Sequence, residues 1–358
     1  MTAANLRVLL PADAVAFHTE RFARELETQG CELLTASLES GAMEHHPLTK
    51  RGPIKSLHYL STVPQLRRLI RQFRPDVINP HFASGYGFIA ALAREGKHPP
   101  IILNLWGSDI LVVPKKSRLH KMKTRYALRQ ADYLVGDSDY LLSAADQLVG
   151  NKEHAVIPWG IERRFLSLHK TDYSFQKPLR IIVPRMQAAV YNNEYIVRAL
   201  QPLLEVGDVA LTFPLFGADS ARFREFVAPY LGGRVDLYDR MPREQFLAFM
   251  AEHDVYLSAA RSDSSPASLI EAMALGLLPI AADIPGVREW LTEKTGRLYP
   301  QDNEAALRTV IISLIQSGDR MVELRRRNFE KVQRCAVFED NVASQLAIMR
   351  RLVDGSRP

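Results

Sequence analysis

Cysteine is scarce in this chain of 358 residues: Cys31 and Cys335 stand far apart. Two thiols so placed make neither a disulfide framework nor a metal-ligand cluster, and they point to a reducing compartment. No apolar run reaches the ~18 residues needed to cross a bilayer. The first apolar stretch, Leu6–Leu10, is short and has no cleavage pattern after it, so no leader is expected. Internal repeats and low-complexity tracts are missing too. Neither half carries G-x-G-x-x-G after its first strand-like run, where "LPADAV" and "PRMQAA" stand instead. That disfavours a nicotinamide dehydrogenase.

Acidic residues are short in one place only. The net charge is +6, and residues 1–165 hold 22 Lys and Arg against 16 Asp and Glu, so the whole excess lies there. Within that half, residues 114–130 ("PKKSRLHKMKTRYALRQ") carry seven basic residues and no acid. A solvated helix face explains such a run as well as an anionic membrane surface or an anionic acceptor does. Nucleic acid is not expected as a partner: Tyr126 is the one aromatic in the run, and no nucleic-acid-binding motif accompanies it.

What is present is a steady alternation. Strand-like apolar runs at 6–12, 31–38, 76–82, 101–107, 131–138 and 154–160 are separated by amphipathic segments such as 17–29, 56–74, 85–95 and 117–130. Residues 39–55 read as a long polar loop. Residues 162–178 show no period and read as a linker. A second series follows at 179–185, 209–217, 234–240, 254–260, 277–283 and 296–300. From about 303 onward the pattern is helical only. Apolar strands alternating with helices mean parallel sheets covered on both faces. Two such series predict an α/β chain of two doubly wound, Rossmann-like domains, with ligands beyond the carboxyl ends of the strands.

One stretch, residues 262–280 ("SDSSPASLIEAMALGLLPI"), raises a chemical question. Its helix is apolar on nearly every side, through Leu269, Ile270, Ala272, Met273, Ala274 and Leu275, and so belongs in a core. Yet Glu271 sits in the middle, and a buried carboxylate without a partner costs roughly several kcal/mol. Ser265 is suited to cap the helix and Pro266 to open it. The amides of about 266–269 would then form an anion site fit for a phosphate. Glu271 and Asp263, eight apart across the helix start, would accept bonds from hydroxyls beside it. Hydroxyls next to phosphates describe a nucleotide-sugar.

The same stretch resembles the Glu-x7-Glu signature of the retaining GT-B glycosyltransferases of the family-4 (glycosyl transferases group 1) kind, E-G-F-P-L-S-L-L-E-A-M-A-C-G. Pro266, Ser268, Leu269, Glu271, Ala272, Met273, Ala274 and Gly276 stand in place. The resemblance runs along nearly the whole chain. "VIPWGIERRF" is similar to V-I-P-N-G-V-D-x-x-x-F, and "IIVPRM" to the strand that ends in a phosphate-binding Arg. "LFGADS", "PGVREWL" and "GRLYPQDNEAAL" match later motifs; "DVINPHFASGYG" and "WGSD" match the first domain of a subset.

The resemblance implies a GT-B fold: two Rossmann-like domains facing across a cleft, with C-terminal helices returning towards the first. Residues 1–165 would be the acceptor domain, 166–335 the nucleotide-sugar donor domain, and 336–358 a helix packing back on the first. The implied activity is a retaining transfer of a sugar from a nucleotide-diphosphate sugar, UDP- or GDP-linked, to a glycan or lipid-linked acceptor in polysaccharide synthesis. The setting is cytoplasmic, with a peripheral position on the inner membrane face where 114–130 engages anionic lipid. No metal and no cofactor are implied, the nucleotide-sugar being substrate. Glu271 would bind the ribose, and Asp263 the donor-sugar hydroxyls. The amides near Ala267 and Ser268, flanked by Pro266 and Leu269, would hold the diphosphate. Arg185 would neutralise it, with Tyr191 and Gly217 alongside. Asp263, Arg185, His81 and Asp109 are the catalytic candidates; His18 and Trp106 are candidates for the acceptor or cleft wall.

Four positions depart from the family pattern. Asp263 replaces a Glu; Tyr191 stands where a Lys is usual; no Gly-Gly turn follows the first strand; and Trp106 replaces a His before "GSD". The missing Lys and Gly-Gly keep open a non-catalytic nucleotide-binding relative, and a sugar-nucleotide epimerase of similar build is a further alternative. The D-x-D within "GDSD" (136–139) reads as a helix start at Ser138 rather than a metal site.

Overall fold

A computed structural model describes residues 5–51, 55–96, 98–173, 177–317 and 322–355. Contacts divide the chain into two compact units, Met1–Trp159 with Glu339–Pro358, and Gly160–Phe338.

In the first unit the apolar runs become β1 (Arg7–Pro11), β2 (Glu32–Ser37), β3 (His46–Pro47), β4 (Val77–Ile78), β5 (Ile102–Asn104), β6 (Tyr133–Gly136) and β7 (His154–Val156). The pairings are parallel, in the orders β3-β2-β1-β4 and β5-β6-β7. Two isolated parallel bridges, Ile78↔Ile101 and His81↔Asn104, join the two sets. The polar stretch 39–55 is therefore not all loop: His46 and Pro47 add a two-residue edge strand beside Ala36 and Ser37. β4 is shorter than its apolar run; beyond it His81 keeps one bridge to Asn104, and Phe82, at φ +75°, turns the chain into a π-helix, Phe82–Gly87, followed by the helix Phe88–Ala93.

The helix Phe338–Gly355 joins this unit from Glu339 onward. Its buried Gln345 lies between two strand ends, donating to Asn104 Oδ1 at 2.8 Å and Asn79 Oδ1 at 3.3 Å. Asn341 donates to the Pro158 carbonyl at 2.8 Å. Buried amides that satisfy one another in this way fix the helix in one register.

The second unit holds β8 (Leu179–Ile182), β9 (Val209–Pro214), β10 (Val235–Tyr238), β11 (Val255–Ser258), β12 (Leu278–Ala282) and β13 (Arg297–Tyr299). They form one parallel sheet in the order β10-β9-β8-β11-β12-β13. Strand order reverses between β8 and β11, and in the first unit between β1 and β4. Chains leave such neighbours in opposite directions and open a crevice at the carboxyl ends. The stretch without sequence period, 162–178, contains a 3-10 helix, Arg163–Leu168, whose Phe165 is buried.

The helix carrying Glu271 runs Ala267–Leu275 and ends at Gly276, whose φ of +83° closes it in the left-handed region. It starts one residue later than the sequence suggests. Pro266 is its N-cap, with no side-chain cap bond, and Ser265 instead accepts from Trp290 Nε1 at 2.8 Å. The loop before this helix rests on Gly286. A Cβ there would lie 2.0 Å from the Ser264 carbonyl oxygen and 2.5 Å from that of Asp263.

Gly286→Ala is therefore expected to lower stability by about 1–3 kcal/mol through forced backbone movement. Urea unfolding measures this; a variant as stable as the parent would show that the loop does not bear on Gly286.

Candidate functional site

The crevice between β8 and β11 is built by two chain turns. After β8 the chain reaches Arg185; after β11 it reaches Asp263 and then the helix Ala267–Leu275. Arg185 Nη2 donates to Asp263 Oδ2 in a short ion pair, and Nη1 donates to Ser268 Oγ at 3.0 Å. The Arg185 guanidinium lies 4.3 Å from the centroid of the Tyr191 ring, within cation–π range. So Tyr191, where the family pattern has a cation, lays an aromatic face against this one. Nε of Arg185 is buried and has no acceptor among the described residues. Gly217 lets the β9 turn close on this loop: at φ +121°, a Cβ would lie 2.4 Å from the Gln187 carbonyl oxygen.

Two backbone donors lie beside this pair. The amides of Leu269 and Ile270 are bonded to the Pro266 carbonyl at 3.0 and 3.2 Å, and Pro266 has no N–H. The expected set of 266–269 therefore reduces to the amides of Ala267 and Ser268. They meet no acceptor among the described residues, as first-turn amides ordinarily do not.

Glu271 has a partner that the sequence did not reveal. Its side chain is 7% exposed, and Oε1 accepts from Arg243 Nη1 at 2.7 Å. Arg243, the first residue of the helix Arg243–Ala251, is forked on its other side to Glu162, with Nε to Oε1 at 2.7 Å and Nη2 to Oε2 at 2.6 Å. One guanidinium thus separates two carboxylates, and charge compensation for Glu271 comes from the protein. No second protein donor reaches Glu271 among the described residues. Nothing in the spacing of "MPREQF" marked Arg243; only the fold brings it to Glu271.

The first unit has its own cluster at the carboxyl edge. His81 follows β4, Trp106 follows β5, Trp159 follows β7, and His18 opens the helix Phe17–Thr28 after β1. His18 stacks on Trp159 with centroids 4.9 Å apart. Trp106 and Trp159 meet edge to face at 5.6 Å. His81 is 1% exposed and lies 5.1 Å from Phe22, 5.8 Å from Trp106 and 6.0 Å from Trp159. Neither ring nitrogen of His81 has a partner among the described residues, nor has Trp106 Nε1. Burial pushes the His81 pKa down to about 3 and keeps the ring neutral. Trp159 was missed by the sequence reading; the signal that could have found it is its place at the Asn of V-I-P-N-G-V-D.

Asp109 is fully buried beneath this edge. Oδ2 accepts from the Ala83 amide at 2.7 Å and Oδ1 from the Trp106 amide at 3.0 Å. Burial raises its pKa to about 6 against the lowering effect of these and neighbouring amides. It braces the turn after β5 against the turn after β4, and so aims Trp106. Ser138 caps the helix Asp139–Val149, accepting from the Leu141 amide at 3.2 Å, as a helix start requires.

The fold has known counterparts. Residues 7–138 match the family model described as Glycosyl transferase 4-like, and residues 177–317 the one described as Glycosyl transferases group 1. The chain belongs to the group 1 glycosyltransferases, and it is an enzyme of that class with the GT-B, Rossmann-like fold. An uncharacterised glycosyltransferase of Methanocaldococcus jannaschii is 23% identical over 328 residues, spanning 88% of this chain and 90% of that one. Among solved structures, the sucrose-phosphate synthase of Thermosynechococcus elongatus superposes with a TM-score of 0.82 at 16% identity, covering 98% of this chain and 100% of that one. The Anabaena protein HepE, solved with UDP-glucose, superposes with a TM-score of 0.75 at 16% identity, covering 96% and 100%.

Two stability predictions follow from these geometries. Arg243→Leu leaves the buried Glu271 and the half-buried Glu162 without their shared guanidinium and is expected to cost about 3–5 kcal/mol in denaturant unfolding; a loss below about 1 kcal/mol would place the bridge among exposed pairs. For His81 the ordinary pKa is 6.5 and the folded one about 3. Below the ordinary value the unfolded chain takes up a proton that the folded chain refuses. Stability is full above it and falls as pH drops, by about 2 kcal/mol at pH 5 for one such histidine. His253, pushed by burial to about 4, acts in the same sense. Unfolding of His81→Phe measured from neutral pH down to about pH 5 should retain only the smaller slope left by groups such as His253. A slope equal to the parent's would mean that His81 is not held neutral.

Proposed function

We propose that the chain transfers a sugar, with retention of configuration, from a nucleoside diphosphate sugar to a glycan or lipid-linked acceptor. The observation that carries this reading is Glu271: a buried carboxylate with one oxygen on Arg243, close to two open helix amides and to Arg185. The unoccupied capacity of Glu271 suits a ribose hydroxyl, and the amides of Ala267 and Ser268 suit phosphate oxygens. HepE was solved with UDP-glucose, which supports the same ligand class for this chain.

In the chemistry, negative charge grows on the leaving diphosphate. A fixed cation and fixed amides stabilise that charge without reorganising. Arg185 would move from Asp263 to the diphosphate, and Asp263, so released, would accept from hydroxyls of the transferred sugar. Tyr191 keeps its ring under the guanidinium during the exchange. The reading asks for no metal and no cofactor.

A thermal-shift panel of UDP, GDP, ADP and their sugars tests the reading. Ligand at 100 times Kd stabilises by about 2.7 kcal/mol. One nucleotide class should raise the Tm, and Glu271→Ala should abolish the rise; Glu162 still pairs Arg243 in that variant. Release of the nucleoside diphosphate from its sugar, dependent on acceptor, separates transfer from binding alone. A flat panel contradicts the proposal.

The location proposed is cytoplasmic, at an anionic membrane face. No helix among the described residues is long and apolar enough to cross a membrane. The helix Arg118–Gln130, capped by Ser117, exposes Leu119, Met122 and Tyr126 at 48%, 62% and 37%. Spaced by three and four, they share one helical face among basic neighbours, as in helices that lie in a membrane interface. Co-sedimentation with vesicles containing anionic lipid should be lost when Lys115, Lys116, Lys121 and Lys123 become Glu; equal binding to neutral vesicles would exclude this surface.

A further inference from the structure

Two of the places where this chain leaves its family pattern touch each other. Trp106 replaces the His before "GSD", and Trp159 replaces the Asn of the V-I-P-N-G motif. They are 53 positions apart in sequence, yet their rings meet at 5.6 Å with an interplanar angle of 76°. Both are half-buried, as is His18, which stacks on Trp159. Beneath them lies His81, wholly buried, with two ring nitrogens and the neighbouring Trp106 Nε1 unpartnered among the described residues.

Three buried polar ring atoms without partners carry a desolvation penalty of about 1–3 kcal/mol each. A fold does not gather them by packing alone. Indole faces set at right angles, with a polar floor, suit a ligand that is apolar on its faces and hydroxylated round its edge. A pyranose ring is such a ligand: its C–H faces stack on aromatic rings, and its hydroxyls both donate and accept. Hydroxyls complement Trp106 Nε1, a donor only, and neutral His81, which has one donor and one acceptor. The N–H groups of Trp106 and His81 can donate to an anion as well, but both donors are uncharged. The nearby cation, Arg21, is buried, lies over the Trp159 and Phe17 rings, and donates to the Trp159 carbonyl at 3.2 Å. A carboxylate brought against this edge would exchange its water for the uncharged indoles and His81, a poor return for its desolvation.

We propose that His18, His81, Trp106 and Trp159 form a binding site for one uncharged pyranose ring. The proposal rests on the transferase reading and narrows it: the sugar moiety held by the first unit is neutral, even where the rest of the acceptor is anionic. The ring could belong to the acceptor or to the donor, since the chemistry is shared.

Intrinsic fluorescence tests it, because two of the three tryptophans lie in the cluster. The full chain is titrated with methyl glucoside, methyl galactoside, methyl mannoside and N-acetylglucosamine, alone and with saturating UDP or GDP, and with the matching uronates. The nucleotide sugars are compared with their nucleotides in parallel. At least one neutral sugar or sugar nucleotide should give a saturable change in emission, and its uronate counterpart should bind at least tenfold more weakly. A change produced by the free sugar on top of nucleotide marks the acceptor ring; a change produced by the nucleotide sugar but not the nucleotide marks the donor ring.

Trp106→Phe keeps a ring but removes the indole N–H and should weaken binding about tenfold, worth about 1.4 kcal/mol. Trp159→Ala should abolish binding. In both variants the nucleotide thermal shift should persist, which also shows that they are folded. The proposal is overturned if no neutral sugar changes the emission, if uronates bind as well, or if the folded Trp106→Phe variant binds sugar like the parent. Sugar binding that persists in a chain with no nucleotide shift would instead count against the donor reading and leave this site standing.

Discussion

The second unit depends on how a carboxylate is kept inside a helix that is otherwise apolar. Glu271 is held at 2.7 Å by Arg243, and Arg243 is held in turn by Glu162. Two acids and one base leave the group with one net negative charge, well placed to accept hydrogen bonds and poorly placed to meet a bare phosphate. The anion site proposed above lies instead one turn earlier, at the Ala267 and Ser268 amides and Arg185. Positive and negative ends of the site are thus set by separate elements. A ligand with hydroxyls at one end and phosphates at the other matches that order, which is why a nucleotide-sugar fits the arrangement better than a free nucleotide base or an inorganic anion would.

Each unit uses the same structural opportunity for a different purpose. Both have parallel strands whose order reverses once, at β1/β4 and at β8/β11. In the second unit the crevice collects charge: Arg185, Asp263 and two amides. In the first it collects rings. That contrast follows from local sequence. Two tryptophans take the places of a His and an Asn, while Asp109, which could have brought charge to the same edge, is turned inward to bind the amides of Ala83 and Trp106.

Much of the fold was legible because apolar runs of five to nine residues recur with helices between them, and each became a strand. What the periodicity could not show was local. The two-residue β3 lies in a polar stretch with no strand signal. The turn after β4 runs through Phe82 at a positive φ, which an aromatic residue rarely adopts. Ser265, a good cap by residue type, was taken by Trp290 instead. The same limit applies at the site. Glu271 was conspicuous because a charge inside a greasy helix breaks the pattern. Arg243 broke none, being a basic residue at the start of an ordinary surface helix, and Glu162 was absorbed into a motif. The pairing of Arg185 with Asp263, and the stacking of Tyr191 on that Arg, depend on β8 and β11 being neighbours, and no sequence interval of 78 residues could announce it. Trp159 passed inside a motif taken as a match, and gained a consequence only when the fold set it against Trp106.

The central claim is that the capacity left on Glu271 is completed by ribose hydroxyls. A calorimetric cycle tests it most directly: the nucleoside diphosphate that binds best and its 2′,3′-dideoxy analogue, each titrated into the parent chain and into Glu271→Gln. The account predicts that removing the hydroxyls weakens binding to the parent by about tenfold or more and costs the variant much less, so that the two changes are coupled. Equal losses in parent and variant would show that Glu271 and the ribose do not meet, and would contradict the account.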